Sequence, residues 1–130
     1  MKQAKQVIVM RKKDLNLRYG KAVSQGCHAS LGAILNIMKK DGNKRILTIE
    51  DGSVLDSWLN DKFTKICVGV DSEQELLDIY QKATEDTNLI TCLITDAGLT
   101  EFHGVPTKTC CSILGFVEDV DKITSHLKLL

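Results

Sequence analysis

The stretch that decides the fold is residues 6–39, QVIVMRKKDLNLRYGKAVSQGCHASLGAILNIMK, in which a predicted strand leads through a polar loop into a predicted helix. The run from Gln6 to Arg11 is continuous, apolar and β-branched, which is typical of a strand buried on both faces. A helix is predicted from about Lys21 to Lys39, because apolar residues recur there at spacings of three and four. Its predicted core stripe consists of Val23, Cys27, Leu31, Ile34, Leu35 and Met38.

The same helix carries a row of polar side chains. Lys21, Gln25 and His28 lie at i, i+4 and i+7 and therefore share one stripe. A lysine in the first turn opposes the helix dipole, so local stability does not explain Lys21. One interpretation is a stripe that faces solvent, with His28 as a structural histidine. The nearby Gly26 and Gly32, which lower helix propensity, instead indicate the close approach of a backbone or a ligand.

Strands and helices alternate along the rest of the chain. The further predicted strands are a short edge strand within 44–52 and three longer strands at 64–70, 89–95 and 107–115, and the further helices cover 54–60, 72–86 and 118–130. This order predicts one domain over residues 1–130 of the α/β class. We expect a sandwich with a mixed, mostly parallel sheet of about four strands and helices on both faces.

The charge of the chain is unevenly distributed. Residues 1–45 contain eleven lysines and arginines and two acids, whereas residues 46–130 contain six bases and fifteen acids. A basic half favours a polyanionic partner such as a nucleic acid. The alternative is that two solvated halves of one domain attract each other.

Composition disfavours several classes of protein. No apolar run approaches the roughly 20 residues that span a bilayer, so we expect no membrane association and a cytoplasmic location. The five cysteines are odd in number and lack the spacing of metal ligands, which predicts reduced, packed thiols. We expect no metal and no cofactor. The GxGxxG, P-loop and HExxH motifs are absent, which disfavours the nucleotide-binding and metalloenzyme classes that they mark.

A second group of polar residues lies in TDAGLTEFHGVPTKT, residues 95–109. Asp96 follows a predicted strand, at the position where α/β proteins place functional loops. Asp96 and Thr100 are alternatively simple turn residues. A hydrolase that uses Cys27 or Cys110 with His28 or His103 is a further option, but no nucleophile-elbow motif supports it.

Together these motifs resemble the type 2 peptidyl-tRNA hydrolases, which occur in archaea and eukaryotes. The pattern of that family is a strand ending in arginine, a helix of the form GK-x-x-x-Q-x-x-HA, a D-A-G-x-T loop and a C-terminus of the form D-K-x-T-x-x-L-K-L. The matching segments here are QVIVMRKKDLNLRYGKAVSQGCHAS, TDAGLTEFHGVPTKT and VDKITSHLKLL. The resemblance therefore spans nearly the whole chain in the same order.

The resemblance implies hydrolysis of the ester that joins a peptide, or another N-blocked aminoacyl group, to the 3′ ribose of tRNA. Lys21, Gln25, Asp96 and Thr100 match the catalytic residues of the family, and His28 matches a supporting histidine. Ester hydrolysis needs an activated water and donors for the developing oxyanion. Asp96 is suited to the first task, and Lys21 and Gln25 to the second.

The resemblance also implies a nucleic-acid partner, peptidyl-tRNA, that is contacted mainly through its backbone. The residues expected to bind tRNA are Arg11, Lys12, Lys13 and Arg18. The sequence is compatible with a homodimer. The chain departs from the family pattern at 15–19 and 114–116, and it has extra length near 42–55 that we expect to form a hairpin or an added edge.

A non-catalytic RNA-binding or adaptor module on the same fold is the main alternative. Phosphate binding alone does not require an aspartate beside basic residues. The presence of Asp96 together with Lys21 and Gln25 therefore favours the hydrolase.

Overall fold

The computed structural model describes residues 2–99 and 102–130. The strands are β1 (Ala4–Met10), β2 (Lys39–Asp41), β3 (Lys44–Ile46), β4 (Lys65–Gly69), β5 (Ile90–Asp96), β6 (Thr107–Phe116) and β7 (Lys128–Leu129). The helices are α1 (Lys12–Leu15), α2 (Tyr19–Ile37), α3 (Val54–Leu59), α4 (Glu73–Glu85) and α5 (Val117–Thr124). None of the helices in these ranges is long and apolar enough to cross a membrane.

Strand β1 lies at the centre of a five-stranded sheet in the order β5-β6-β1-β4-β7. It pairs in parallel with β4 and antiparallel with β6. The pairs β5–β6 and β4–β7 are also antiparallel. The α/β class and the mixed sheet are thus confirmed. The predicted parallel majority is wrong, and the strand count differs slightly from the expected four or so, because the short β7 adds a fifth strand.

Two connections explain these differences. Strand β6 follows β5 without a helix between them and then lies beside β1, so both of its pairings are antiparallel. The segment 118–130 was predicted to be entirely helical, but α5 ends at Thr124 and the chain continues into β7, which pairs with the edge of β4. Alternation of strands and helices predicts parallel crossovers only where a helix connects two strands of one sheet.

The side chains of β1 alternate between two packed faces. Val7 and Val9 join a core cluster with residues of α4 and α5, whereas Ile8 and Met10 pack in a cluster with residues of α2. A third cluster around Trp58 joins α3 to the α2 side of the sheet. Helices on both faces are therefore confirmed.

Helix α2 packs on the sheet through small side chains. Its buried residues are Ala22, Gln25, Gly26, Ala29, Ala33 and Ile34. Of the predicted core stripe only Ile34 is buried, while Val23, Leu31 and Leu35 are 65%, 59% and 49% exposed. The helix approaches the sheet so closely that a Cβ at Gly32 would lie 2.7 Å from the Sγ of Cys92. The larger apolar residues are therefore displaced to its outer face.

The segment after α2 forms the hairpin predicted as one option for the extra length. The helix ends at Ile37, two residues before the predicted end, and β2 and β3 then pair antiparallel. Gly42 in the turn between them has a φ of 61°, a left-handed conformation that suits glycine. Residues 42–55 thus begin inside a hairpin and extend to the first residues of α3.

Candidate active site

The predicted catalytic residues meet at one edge of the sheet. Strands β1 and β5 run in the same direction, because β6 is antiparallel to both. Asp96 is the last residue of β5, and Lys21 lies in the first turn of α2, which follows β1 through α1. The carboxyl edge of such strands is where α/β folds bind ligands.

The carboxylate of Asp96 is the centre of this group. Its Oδ1 accepts hydrogen bonds from the Nζ of Lys21 at 2.9 Å and from the Nε2 of Gln25 at 3.1 Å. Its Oδ2 accepts a hydrogen bond from the backbone N–H of Gly98 at 2.8 Å. Lys21, Gln25 and Asp96 are thus brought into direct contact across 75 positions of sequence.

The ion pair is largely shielded from solvent. The side chains of Lys21 and Asp96 are each 13% exposed. The hydrogen bond from Lys21, aided by those from Gly98 and Gln25, lowers the pKa of Asp96 below its ordinary value, against the opposing effect of burial. The carboxylate is therefore ionised at neutral pH, which favours a role in orienting water and holding Lys21 over strong proton abstraction.

Thr109 is a site residue that the sequence predictions missed. It is fully buried, and its hydroxyl donates a hydrogen bond to the Oε1 of Gln25. This contact fixes the orientation of the amide, so that the Nε2 of Gln25 points to Asp96. The register of β5 and β6 shifts between Ile94 and Thr95, opposite Thr109. A hydroxyl inside a strand that is otherwise mostly apolar is the signal in the sequence that identifies such a residue.

The loop after β5 is bent tightly beneath the carboxylate. Gly98 has a φ of 80°, and a Cβ there would overlap the backbone of Val105. The N–H of Gly104 donates to the carbonyl of Gly98 at 2.7 Å, which closes the loop. The Nζ of Lys21 lies 5.6 Å from the centre of the Phe102 ring. The predicted catalytic residue Thr100 lies outside the described residues.

The four residues predicted to bind tRNA are not equivalent. The guanidinium of Arg11 pairs with Asp14 at 2.9 Å and donates to the carbonyl of Lys108 at 2.7 Å, and its side chain is only 11% exposed. Lys12 and Lys13 line an open groove beside the ends of β4 and β7. Arg18 is the exposed N-cap residue of α2. Arg11 therefore joins α1 to β6, whereas the other three lie in α1 or at the N-cap of α2.

His28 does not occupy the buried position expected of a structural histidine. It is exposed on α2, one turn beyond Gln25. It lines a groove between α2 and β5 that begins at Asp96. The side chain thus faces an open surface connected to the site.

The cysteines give little support to a thiol nucleophile. Cys110 is fully buried, and burial raises the pKa of its thiol to about 12. Cys27 is exposed, but His28 is its immediate neighbour in α2, and adjacent helical residues do not face each other. Among residues 2–99 and 102–130, no group of three or more His, Cys, Asp or Glu side chains is arranged to hold a metal.

Comparison with known proteins defines the family. Residues 4–130 match the family model described as peptidyl-tRNA hydrolase PTH2. The chain is 40% identical over 128 residues to a peptidyl-tRNA hydrolase of Methanocaldococcus jannaschii, covering 97% of this chain and 99% of the relative. It is 39% identical over 127 residues to that of Nanoarchaeum equitans, covering 96% and 97% of the two chains. The chain belongs to the peptidyl-tRNA hydrolase PTH2 family.

A more distant likeness concerns the fold alone. A solved structure of a protein of unknown function from Agrobacterium tumefaciens, Atu0240, aligns with a TM-score of 0.53 at 17% sequence identity. The alignment covers 100% of this chain and 99% of that one. The same arrangement of strands and helices thus occurs in a chain with little sequence identity to this one.

Proposed function

We propose that this peptidyl-tRNA hydrolase cleaves its substrate at the cluster of Lys21, Gln25 and Asp96. The reaction is hydrolysis of the ester between a peptide, or another N-blocked aminoacyl group, and the 3′ ribose of tRNA, which returns the tRNA to use. The observation that carries the assignment is the convergence of Lys21 and Gln25 on one oxygen of a shielded carboxylate.

Each residue has a distinct task in this mechanism. Asp96 orients the attacking water, and the proton released by the attack passes through this carboxylate or through solvent to the departing ribose oxygen. The ammonium of Lys21 stabilises the oxyanion that develops on the ester carbonyl. The amide of Gln25 keeps the carboxylate in position and supplies a further hydrogen bond. Thr100 remains a predicted member of the site.

The tRNA approaches from the side on which Lys12, Lys13 and Arg18 present their charges. Contacts of this kind bind phosphates without reading sequence. Arg11 acts indirectly, by holding α1, which carries Lys12 and Lys13. A cytoplasmic location and a homodimer stay predictions.

The test is the release of N-acetylated amino acid from tRNA by the wild type, Lys21→Ala and Asp96→Asn. Loss of an oxyanion donor or of the water-orienting carboxylate lowers kcat by about 10² to 10³. Lys40→Ala and Asp41→Asn, on the distant hairpin, are matched controls that keep wild-type rates. Thermal unfolding of all variants checks that they fold.

Two results would contradict the proposal. Full activity in Lys21→Ala and Asp96→Asn would remove these residues from the mechanism. A wild type that binds tRNA in a salt-dependent manner but releases no product would favour the non-catalytic RNA-binding module.

A further inference from the structure

The groove between α2 and β5 leads directly away from the candidate active site. One wall is a stripe of α2 that contains Gln25, His28, Gly32 and Leu35, and the other wall is the β5 segment from Cys92 to Asp96. Its volume is about 530 Å³. Gln25 and Asp96 belong to both the candidate active site and the groove lining. A molecule that reacts at the site therefore lies at one end of the groove.

In the sheet formed by the described residues, β5 is an edge strand and pairs with β6 alone. An edge strand keeps a row of backbone N–H and C=O groups that can pair with another extended chain. The strand also ends at Asp96, so this row leads towards the reacting group.

The charge of the groove distinguishes the two halves of the substrate. Among the described residues that line the groove, Asp96 alone carries a charge. The basic residues Lys12 and Lys13 of α1, and Arg18 at the N-cap of α2, do not line the groove. Such a lining offers no favourable electrostatic interaction to a polyanion such as tRNA. An uncharged peptide, in contrast, can form backbone hydrogen bonds there.

We propose that the groove binds the peptide part of peptidyl-tRNA as an added strand, parallel to β5. This inference rests on the proposed function. The peptide is esterified through its C-terminal carbonyl, which must reach Asp96 at the C-terminal end of β5. The peptide then lies along β5 with its N-terminal residues farther from Asp96. Its N-to-C direction is therefore the same as that of β5. Recognition through backbone groups suits an enzyme whose substrates carry many different peptide sequences.

The length of the groove sets how many residues it holds. Cys92 and Asp96 are four positions apart on β5, and a strand rises about 3.3 Å per residue, so the walls extend about 13 Å from the site. We therefore expect KM to fall as the peptide lengthens to about four residues and to stay level beyond that.

The first experiment compares N-acetyl-aminoacyl-tRNA with an N-acetyl-tetrapeptidyl-tRNA that has the same C-terminal residue. The wild type should show a kcat/KM about tenfold higher for the longer substrate, from burial of apolar side chains and from backbone pairing. Leu35→Glu places a carboxylate on the groove wall and should bring this ratio close to one. Leu31→Glu is the matched control, because Leu31 is also an exposed leucine of α2 but does not line the groove.

The second experiment uses tetrapeptidyl-tRNAs that are N-methylated at one residue at a time. In an added strand only alternate N–H groups face the partner. Methylation should therefore raise KM at every second position and have little effect between them. This pattern distinguishes strand addition from a purely apolar contact.

The outcomes separate this proposal from the proposed function. Hydrolysis of both substrates with equal kcat/KM, or an equal response to Leu31→Glu and Leu35→Glu, would overturn the groove proposal and leave the hydrolase intact. Methylation effects without a period of two would overturn strand addition. Absence of hydrolysis of either substrate by the wild type would overturn the proposed function and this inference with it.

Discussion

Thr109 holds the amide of Gln25 in the single orientation that lets its Nε2 donate to Asp96. The residue is fully buried and has no exposed surface through which to touch substrate. Its contribution is therefore to position Gln25. Positioning of this kind matters because small displacements of catalytic groups have large kinetic effects.

We expect Thr109→Val to lower kcat by about tenfold to a hundredfold, because Gln25 can then rotate away from the carboxylate. The lost hydrogen bond also leaves the buried Oε1 of Gln25 without its donor, at a cost of about 1–3 kcal/mol in the free energy of unfolding. Activity assays and denaturant titrations measure the two effects.

The control for Thr109 is Thr107→Val, because the hydroxyl of Thr107 forms an exposed hydrogen bond to the carbonyl of Val105. Thr109→Ser keeps a hydroxyl and should restore most of the lost kcat. Similar losses in Thr109→Ser and Thr109→Val would contradict a role for the hydroxyl and point to packing.

At the scale of elements, the loop after β5 is shaped by Gly98. The left-handed backbone and the nearby backbone of Val105 leave no room for a side chain. The N–H of the same residue donates to Asp96. The loop conformation and the site are therefore coupled through one residue.

Gly98→Ala should displace the loop and lower kcat by about tenfold or more, with a stability loss of about 1–3 kcal/mol. Gly104→Ala is the matched control, because Gly104 has a φ of 78° but open space around its Cβ position. It should lower stability slightly and leave kcat near the wild-type value. Equal losses of kcat in the two variants would show that backbone strain alone, without the overlap at Gly98, disturbs the site.

The sequence predicts secondary structure correctly where the local pattern of residues determines it. It does not predict which face of a helix is buried when tertiary packing determines that face. The strand at β1 and the helix at α2 follow from apolar runs and spacing, whereas the grouping of Lys21, Gln25 and Asp96 in one site follows from the resemblance of their motifs to the family pattern. The buried face of α2 did not follow, because Ala22 and Ala29 pack against the sheet while larger neighbours stay exposed. Hydrophobicity alone cannot identify a helix that approaches its sheet through small residues.

At the scale of the whole molecule, the two charged halves of the sequence fold into one layer structure. The central β1 comes from the basic half, while its neighbours β4 and β6 come from the acidic half. The strands of the two halves are therefore interleaved in the sheet, and α1 contributes Lys12 and Lys13 from the basic half. The contribution of Arg11 to tRNA binding stays a prediction; its pairing with Asp14, which the sequence did not indicate, leaves its side chain only 11% exposed.

Removing both Lys12 and Lys13 by substitution with alanine should raise KM at moderate salt and make it less sensitive to salt. Each lost phosphate contact lowers the slope of log KM against log salt concentration by about one. Lys39→Ala with Lys40→Ala is the matched control, because these lysines lie at the far end of α2, about 28 Å along the helix from its start. Equal slopes for the two double variants would indicate an effect of net charge rather than of contacts at α1.

The close approach of α2 to β5 at Gly32 also has an evolutionary consequence. A methyl group at position 32 would collide with the sulfur of Cys92, which is buried against the helix. Alanine at 32 therefore requires the sulfur of Cys92 to move or position 92 to become smaller, so the residue at 92 affects the cost of a substitution at 32. Positions 32 and 92 therefore form a coupled pair, in which the residue at one position limits the residues that the other tolerates.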